Sequence, residues 1–228
     1  MIDNFKKIHV FEDNKWVSES SFYINAEILK ILKQKKLCNV MIPGGKSFEK
    51  IFIELLKTYK IQNLNINLFM SDERCTKAES KDNNYNKIKL LSAKKNIKIY
   101  RIKTYLKNLN KEIDRYSKLI NFKIDILILS VADDGHMASI FPERLGNYNN
   151  NLNIDKIQCS HHPFQRLTIT TKFVSEINNK IILLNDPKKG KIIKKLLKIK
   201  DINTKNYLDL ILLSKCLVTY KLFREIAY

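Results

Sequence analysis

A strand-like apolar segment that ends in two aspartates, a glycine and a histidine has the clearest capacity for chemistry in this sequence. The stretch reads LILSVADDGHMASIFPE, from Leu127 to Glu143. A histidine titrates near neutral pH, so His136 can take a proton from water and return it. A carboxylate at Asp134 can hold the orientation and tautomer of that imidazole, and Gly135 permits a tight backbone between the two. The MASIF segment is expected to start a helix or turn whose free N–H groups help to stabilise an oxyanion. A histidine that caps a solvated loop is the alternative.

A second polar cluster, SDERC, also follows an apolar run. Neighbouring side chains on an extended segment diverge, so Asp72 and Arg74 can act on a ligand while Glu73 points away. The planar guanidinium of Arg74 suits a phosphate, a carboxylate or a developing oxyanion. The alternatives are a surface cluster of ion pairs and a nucleophilic Cys75, although no histidine is near that cysteine in sequence.

A third segment, IPGGKSFEKIF, has the pattern of a strand, a tight turn and the start of a helix. Gly44 and Gly45 allow the backbone to approach a ligand closely, and N–H groups at a helix N-terminus favour a phosphate. Ser47 can cap the helix or donate to phosphate oxygens, while Lys46 adds positive charge. A simple strand-to-helix turn would have the same pattern.

Composition places limits on the kind of protein. The 228 residues carry a formal charge of +19, which is compatible with nucleic-acid binding. However, the lysines are spread along the whole chain, only six of the 42 basic residues are arginine, and no aromatic-basic motif is present. We therefore expect no nucleic-acid partner, and a positive field that would help to capture a small anionic substrate.

Cellular location is predicted from what the sequence lacks. No apolar run approaches the roughly 20 residues that span a bilayer. The N-terminal residues do not have the pattern of a signal peptide, and the four cysteines form no CxxC pair. We expect a cytoplasmic protein without a membrane contact.

Short apolar runs alternate with amphipathic helical patterns along the chain. IDILILS is apolar on both faces, as expected of a central parallel strand, and the other strand candidates are CNVMI, INLFM, RLTIT, KIILL and CLVTY. This alternation predicts one α/β domain over residues 1–228, with a Rossmann-like, open, mostly parallel sheet and helices on both faces. PGGKS, SDERC and ADDGH each follow a strand candidate directly. In a parallel sheet all three would emerge at the same edge and could converge on one ligand.

Four segments are predicted to be helices: VSESSFYINAEILKILKQKK, SFEKIFIELLKTYK, NKEIDRYSKLI and KGKIIKKLLKI. Ser18 is a candidate cap for the first of them. Apolar spacing supports the helical prediction for the first and third segments, because the apolar residues recur on one face. The residues on these faces are Phe22, Ala26, Leu29 and Leu32 in the first helix and Ile113, Tyr116 and Ile120 in the third.

The segment CSHHP offers a possible metal site. Cys159, His161 and His162 are of suitable residue types, but a fourth ligand at the usual spacing is missing. We expect no metal and no cofactor.

Taken together, these segments resemble the 6-phosphogluconolactonase family, part of the wider group that includes glucosamine-6-phosphate deaminases. IPGGKSFEKIF is similar to the family's GGSTPxxLY, SDERCTKAESKDNNY to its DERxVP followed by SNY, and LILSVADDGHMASIFP to its LLGxGxDGHxASLFP. HPFQRLTIT and LLNDPKKGKIIKKLL are similar to its PxxRxT element and its GxxKA-type helix start. The five elements occur in the family's order and cover nearly the whole chain.

The resemblance implies a role for each matching residue. His136 would activate water toward a lactone carbonyl with the support of Asp134, Arg74 would stabilise the developing charge, and Asp72 would shape the polar pocket. The residues implied to bind the phosphate are Gly44, Gly45, Ser47, Arg166 and Lys189.

The sequence departs from the family's pattern at several positions. Ser130 and Ala132 replace the two glycines of GxGxDGH, while Lys46 and Phe48 stand where the phosphate loop usually has Ser or Thr and Pro. Asp186 occupies the usual glycine position before the family lysine. A carboxylate near a phosphate would be unfavourable unless its side chain turns away.

The resemblance implies hydrolysis of 6-phospho-D-glucono-1,5-lactone to 6-phospho-D-gluconate by a monomer without a cofactor. A deaminase-type isomerase is one alternative, although deaminases resemble DEY and NEP where this chain has DER and ASIFP. A non-catalytic protein that binds a sugar phosphate or RNA is the other. The replaced glycines favour that alternative, and the intact Asp134–Gly135–His136 segment disfavours it.

Overall fold

The computed structural model describes residues 5, 7–92, 97–121, 123–149, 151–160 and 162–227. Strands and helices alternate along most of the chain, and no helix among the described residues is long and apolar enough to cross a membrane. The elements are β1 (Lys7–Phe11), α1 (Trp16–Gln34), β2 (Cys38–Ile42), α2 (Lys46–Lys57), β3 (Ile66–Met70), β4 (Asp72–Arg74), α3 (Asn84–Leu91), β5 (Lys98–Tyr100), α4 (Leu109–Ile120), β6 (Ile126–Ser130), β7 (Ile154–Ile157), β8 (Arg166–Ile169), α5 (Thr171–Glu176), β9 (Lys180–Leu184), α6 (Pro187–Leu197), α7 (Ile202–Leu212), β10 (Lys215–Thr219) and α8 (Tyr220–Ala227).

The main sheet has seven strands in the order β1-β10-β9-β6-β2-β3-β5, and its paired strands are parallel. The chain passes from β2 outward to β3 and β5, returns to β6 beside β2, and then continues in the opposite direction to β9 and β10. The strand order therefore reverses between β2 and β6. In open α/β sheets, ligands bind beyond the carboxyl ends of the strands at such a switch point.

The central strands are buried on both faces, which confirms the predicted mostly parallel α/β fold. In β6, Ile126, Leu127, Ile128 and Leu129 are all buried, and β9 and β10 show the same burial from their second residue onward. Continuous apolar runs are typical of parallel strands that are covered by helices on either side. The indole N–H of Trp16 in α1 donates to the carbonyl of Leu217 in β10 at 3.0 Å, which attaches that helix to the sheet.

A small antiparallel sheet, in the order β4-β8-β7, stands apart from the main sheet. The RLTIT segment is a strand as predicted, but it belongs to this second sheet, and DER forms its edge strand. The register pairs Asp72 with Thr168 and Arg74 with Arg166. Because side chains alternate along a strand, Asp72 and Arg74 share one face and Glu73 lies on the other. The small sheet thus brings two arginines from distant parts of the sequence to neighbouring positions.

The first predicted helix is confirmed as α1, but its buried face is not the one that carries the regularly spaced apolar residues. Phe22 and Leu29 are exposed, and the buried face instead carries the residues Trp16, Ser20, Ser21, Ile24 and Ile28. The hydroxyl oxygen of Ser21 lies 3.4 Å from the carbonyl oxygen of Ile51 in α2. The buried face combines the large apolar residues Trp16, Ile24 and Ile28 with small serines, which allow α1 and α2 to approach closely.

The predictions for the cap of α1 and for the buried residues of α4 have different outcomes. The prediction that Ser18 caps α1 is wrong, because the helix begins at Trp16 with Lys15 as its cap, and Ser18 donates from within the first turn to the carbonyl of Lys15. The prediction for α4 is confirmed, since its buried residues include Ile113, Tyr116 and Ile120.

Glu73 holds the N-terminus of α3. Its side chain is fully buried and accepts backbone N–H groups from Arg74 at 2.9 Å, Asn84 at 2.7 Å and Tyr85 at 2.8 Å. Two of these donors are the first residues of α3, whose N-cap residue Asn83 makes no side-chain capping bond. A carboxylate eleven residues upstream therefore satisfies N–H groups that a helix cannot satisfy itself.

Burial also makes Glu73 a source of pH dependence. Burial raises the pKa of its carboxyl from 4.5 to about 7, against the lowering effect of the three backbone hydrogen bonds and with a further increase from the charge of Asp72. The folded protein therefore binds this proton more tightly than the unfolded chain does. The stability that this group contributes is fully present below pH 4.5 and is lost as the pH rises through about 7.

We expect the free energy of unfolding of the wild-type protein, relative to that of Glu73→Gln, to fall by up to about 3 kcal/mol as the pH rises over this interval. Urea unfolding at a series of pH values measures the difference. Glu12→Gln is the control, because the Glu12 side chain is 68% exposed. A difference that is constant or increases with pH would contradict the prediction.

Candidate active site

The predicted site residues lie together around one cavity of about 470 Å³ at the switch point of the main sheet. The loops after β2 and β6 line it, together with β4, β8 and the first turn of α6. All nine residues proposed from the sequence contribute to the lining. They are Gly44, Gly45, Ser47, Asp72, Arg74, Asp134, His136, Arg166 and Lys189.

The glycine loop brings backbone against the cavity. Gly45 is the N-cap of α2 and provides no side-chain cap, so the first N–H groups of this helix are available for an anion. Gly44 is required by packing, because a Cβ at this position would lie 2.1 Å from Cγ of Asn84. Asn84 in turn donates from Nδ2 to Oδ1 of Asp72 at 3.3 Å. Asn84 thus connects the glycine loop to the small sheet.

Ser47 and Lys189 form a polar group with Asn185, which directly follows β9. The Ser47 hydroxyl donates to Oδ1 of Asn185 at 2.9 Å, so the sequence-based option that Ser47 caps α2 is wrong. Nζ of Lys189 donates to the same oxygen at 2.7 Å and lies 3.4 Å from Oγ of Ser47. Burial lowers the pKa of Lys189, and the nearby charges of Asp133 and Asp186 oppose that change.

The carboxylate of Asp186 is turned away from the cavity lining. It caps α6 by accepting the backbone N–H of Lys188 at 2.9 Å. The side chain that departs from the family's glycine therefore has a structural role at the helix start, where a carboxylate is favourable.

A buried hydrogen-bond chain connects Asp72 to Arg166. Ser139 donates its hydroxyl to Oδ2 of Asp72 at 2.7 Å and accepts from Nη1 of Arg166 at 3.2 Å. Burial lowers the pKa of Arg166, as does the charge of Arg74, while Asp72 and Asp134 raise it. Arg74 is held separately, since its Nη1 donates to the carbonyl of Asp82 at 2.7 Å. Arg166 is therefore linked to the carboxylate of Asp72 through Ser139, while the guanidinium of Arg74 is anchored to the backbone.

The loop that carries His136 is a tight turn and not a helix start. Gly135 has a φ of +90°, and a Cβ there would lie 2.6 Å from Cγ2 of Ile192, so both backbone and packing demand glycine. Tyr207 in α7 donates its hydroxyl to the Gly135 carbonyl. These contacts fix the backbone directly before the histidine.

Most N–H groups of the following segment are not free as predicted. The N–H groups of Met137 and Ile140 donate to one another's carbonyls at 3.3 Å and 2.8 Å, and that of Ser139 donates to Oγ1 of Thr168 at 3.0 Å. These three donors are used within the protein. The cationic side chains of the cavity and the backbone N–H of Ala138, which also lines it, remain candidates for stabilising an oxyanion.

Asp134 lies between two histidines. Its Oδ1 is 2.5 Å from Nδ1 of His136, and its Oδ2 is 3.0 Å from Nε2 of His162. Although burial would raise the pKa of Asp134, the hydrogen bonds with both histidines and the charge of His136 lower it well below its usual range. Asp134 is therefore ionised at neutral pH and can orient the imidazole of His136.

The arrangement bears on the metal and nucleophile alternatives. Ligand atoms of Asp134, His136 and His162 lie within 4.8 Å of one another and could approach a cation. Each of these ligand atoms has a hydrogen-bond partner within the group, so hydrogen bonding explains the short distances without a cation. Cys159 does not join this group, since its thiol lies 3.1 Å from Oε1 of Glu143, and His161 lies outside the described residues. Burial raises the pKa of Cys75 to about 11, together with the charge of Glu73, so this thiol is a poor nucleophile.

Sequence reasoning did not assign four polar residues that shape this site. Asn84 and Ser139 hold Asp72, Asn185 holds Lys189, and His162 holds Asp134. His162 was noticed only as a metal candidate. Its proximity to Asp134 depends on the contact between the loop before β8 and the loop after β6, which leaves no signal in local sequence.

The open parallel sheet with this cavity at its switch point defines an α/β protein whose cavity can bind an anion and transfer a proton. The cavity is lined by four cationic side chains and three carboxylates: Lys46, Arg74, Arg166 and Lys189, with Asp72, Asp133 and Asp134. The chain belongs to the family of glucosamine-6-phosphate isomerases and 6-phosphogluconolactonases, whose model matches residues 12–207.

The chain is also similar to individual proteins named as 6-phosphogluconolactonases or probable 6-phosphogluconolactonases. The chain is 29% identical over 134 residues to a 6-phosphogluconolactonase of Thermotoga maritima, an alignment that covers 56% of this chain and 60% of the relative. It is 23% identical over 203 residues to a probable 6-phosphogluconolactonase of Dictyostelium discoideum, covering 79% of this chain and 82% of the relative. The crystal structure of a 6-phosphogluconolactonase from Thermotoga maritima has the same fold, with a TM-score of 0.79 and 22% identity over 93% of this chain and 99% of that chain.

Proposed function

We propose that the protein hydrolyses 6-phospho-D-glucono-1,5-lactone to 6-phospho-D-gluconate, a step of the oxidative pentose phosphate pathway. The observation that carries the proposal is the 2.5 Å contact between Asp134 and Nδ1 of His136 at the wall of a cavity that also holds Lys189. The names of the curated relatives support the lactone as substrate.

In the proposed reaction, His136 is the general base. With its Nδ1 proton donated to Asp134, the imidazole has its lone pair on Nε2, where it can accept a proton from water. The resulting hydroxide attacks the lactone carbonyl carbon, and Arg74 stabilises the negative charge on the carbonyl oxygen. When the tetrahedral intermediate collapses, the bond from that carbon to the ring oxygen breaks. The ring oxygen takes the proton back from His136, and the products are a carboxylic acid and a free hydroxyl.

The same cavity is proposed to bind the phosphate. Gly44 and Gly45 present backbone, Ser47 offers a hydroxyl, and Lys189 supplies a buried cation in the first turn of α6. Arg166 adds positive charge. A dianion held by these groups would place the lactone ring toward His136, and binding of the phosphate would contribute to the correct orientation for attack.

The deciding experiment follows 6-phosphogluconate formation from freshly generated lactone and compares it with the spontaneous rate. The controls are unphosphorylated glucono-1,5-lactone and glucosamine 6-phosphate. We expect hydrolysis well above background for the phosphorylated lactone, much slower hydrolysis of the unphosphorylated one, and no ammonia release from the amino sugar. Folded protein that gives no rate above background would refute the proposal, while ammonia release would favour the isomerase side of the family.

A further inference from the structure

His162 has both ring nitrogens engaged by charged side chains. Its Nδ1 lies 3.1 Å from Nη2 of Arg166, and its Nε2 lies 3.0 Å from Oδ2 of Asp134. A guanidinium has only donors, so the Nδ1 of His162 must accept a hydrogen bond. The ring proton must then reside on Nε2, from which it is donated to Asp134. The two neighbours together permit a single neutral tautomer.

The tautomer of His162 determines which oxygen of Asp134 accepts the hydrogen bond from His136. With Oδ2 receiving the proton of His162, Oδ1 remains for the Nδ1 proton of His136, at 2.5 Å. That choice leaves the lone pair of His136 on Nε2. The Asp134 side chain is 46% exposed, and its contacts with the ring and the backbone N–H of His136 both involve Oδ1. A second, fixed partner therefore restricts the carboxylate to the orientation that His136 needs.

Ring packing supports fixed positions for both histidines. The ring centroids of His136 and His162 are 5.3 Å apart in an edge-on arrangement, and each ring lies within 5 Å of the Phe141 ring. The guanidinium carbon of Arg166 lies 5.4 Å from the same Phe141 centroid. One aromatic ring thus supports all three groups at the distances that their hydrogen bonds require.

We propose that His162 is a positioning residue, a neutral histidine whose tautomer is set by Arg166 and which holds Asp134 in the orientation that makes His136 a base. The expected effect on rate rests on the proposed hydrolysis, but the expected tautomer does not. His162 acts through Asp134, so its loss should lower kcat more than it raises KM.

The first test is spectroscopic and needs no substrate. Long-range nitrogen–proton correlation spectra of the wild-type histidine rings at neutral pH report the protonated nitrogen of each ring, and the spectrum of His162→Gln assigns His162 by its missing signals. We expect a neutral His162 with its proton on Nε2. A proton on Nδ1, or on both nitrogens, would overturn the proposal, whether or not the protein is a lactonase.

The second test compares two variants by their kinetics. His162→Leu removes both hydrogen bonds and should lower kcat by about 10- to 100-fold, with KM changed less than about 3-fold. His162→Gln can still accept from Arg166 and donate to Asp134, so it should recover most of the rate. Equal unfolding midpoints in urea would establish that the variants are comparably folded.

The outcomes of these tests distinguish the proposed hydrolysis from the proposed positioning role of His162. An active wild-type protein whose His162→Leu variant keeps its kcat would overturn the positioning role alone. If the leucine variant does not fold, a glutamine variant as slow as His136→Ala would overturn the role, because its hydrogen bonds are retained. An inactive wild-type protein would refute the hydrolysis, and the tautomer measurement would then decide the positioning role by itself.

Discussion

Replacing His136 by alanine should lower kcat for hydrolysis of the phosphorylated lactone by about 100-fold or more. The imidazole is the group of the cavity whose tautomer is set by a carboxylate at 2.5 Å, and alanine leaves water without that base. Phosphate binding uses other residues, so KM should change by less than about 3-fold. Initial rates of 6-phosphogluconate formation above the spontaneous reaction measure both constants.

His9→Ala is the matched control for that variant. His9 lies in β1 at the far edge of the main sheet, where its ring packs 4.6 Å from that of Tyr23. Its loss should leave kcat within about 2-fold of the wild-type value. Added imidazole should restore part of the activity of His136→Ala, because the cavity left by the side chain can admit a free base. A His136→Ala variant as fast as His9→Ala would contradict the assignment of the base.

Replacing Asp134 by asparagine should lower kcat by about 100-fold to 10,000-fold, although the shape of the side chain is nearly unchanged. His162 is expected to donate from Nε2, so the asparagine must turn its carbonyl oxygen toward His162. Its amide N–H groups then face His136 and force the proton of that ring onto Nε2. The lone pair that should accept a proton from water is lost.

Asp133→Asn is the control for charge in the same loop. Asp133 is exposed, lines the cavity and contributes the same negative charge, but it is not hydrogen-bonded to His136. Its replacement should change kcat less than about 5-fold, since only a charge near Lys189 is altered. The tautomer of His136 in Asp134→Asn, measured by the same ring spectra, should shift to Nε2–H. A normal tautomer with a normal rate would contradict the argument.

Sequence patterns predicted well those features that depend on a single segment. The strands CNVMI, INLFM and KIILL occur at their predicted bounds, because parallel strands that are covered on both faces are mostly apolar. The predicted convergence of PGGKS, SDERC and ADDGH at one sheet edge also holds. It follows from parallel topology, which places the carboxyl ends of all strands on the same side.

Features that depend on a partner segment were predicted less well. The periodicity of α1 selected the face with Phe22, whereas α2 packs against a face with two serines. RLTIT has the composition of a strand in any sheet, and only its partner DER places it in an antiparallel one. Apolar spacing describes how hydrophobic a face is, and close approach between elements depends also on side-chain size and backbone register.

The sequence by itself indicated the family, the parallel α/β fold and nine of the residues that line the cavity. Those in the PGGKS, SDERC and ADDGH segments follow from residue types at short spacing, whereas Arg166 and Lys189 are implied by the resemblance to the family. Only the tertiary structure decided which of them touch. The pairing of β4 with β8 sets Arg166 opposite Arg74, and the loop before β8 brings His162 to Asp134. The tautomer of His136 depends on those contacts between residues far apart in the chain. Hydrogen bonds require atoms within about 3 Å, and such distances are set by folding and not by local sequence.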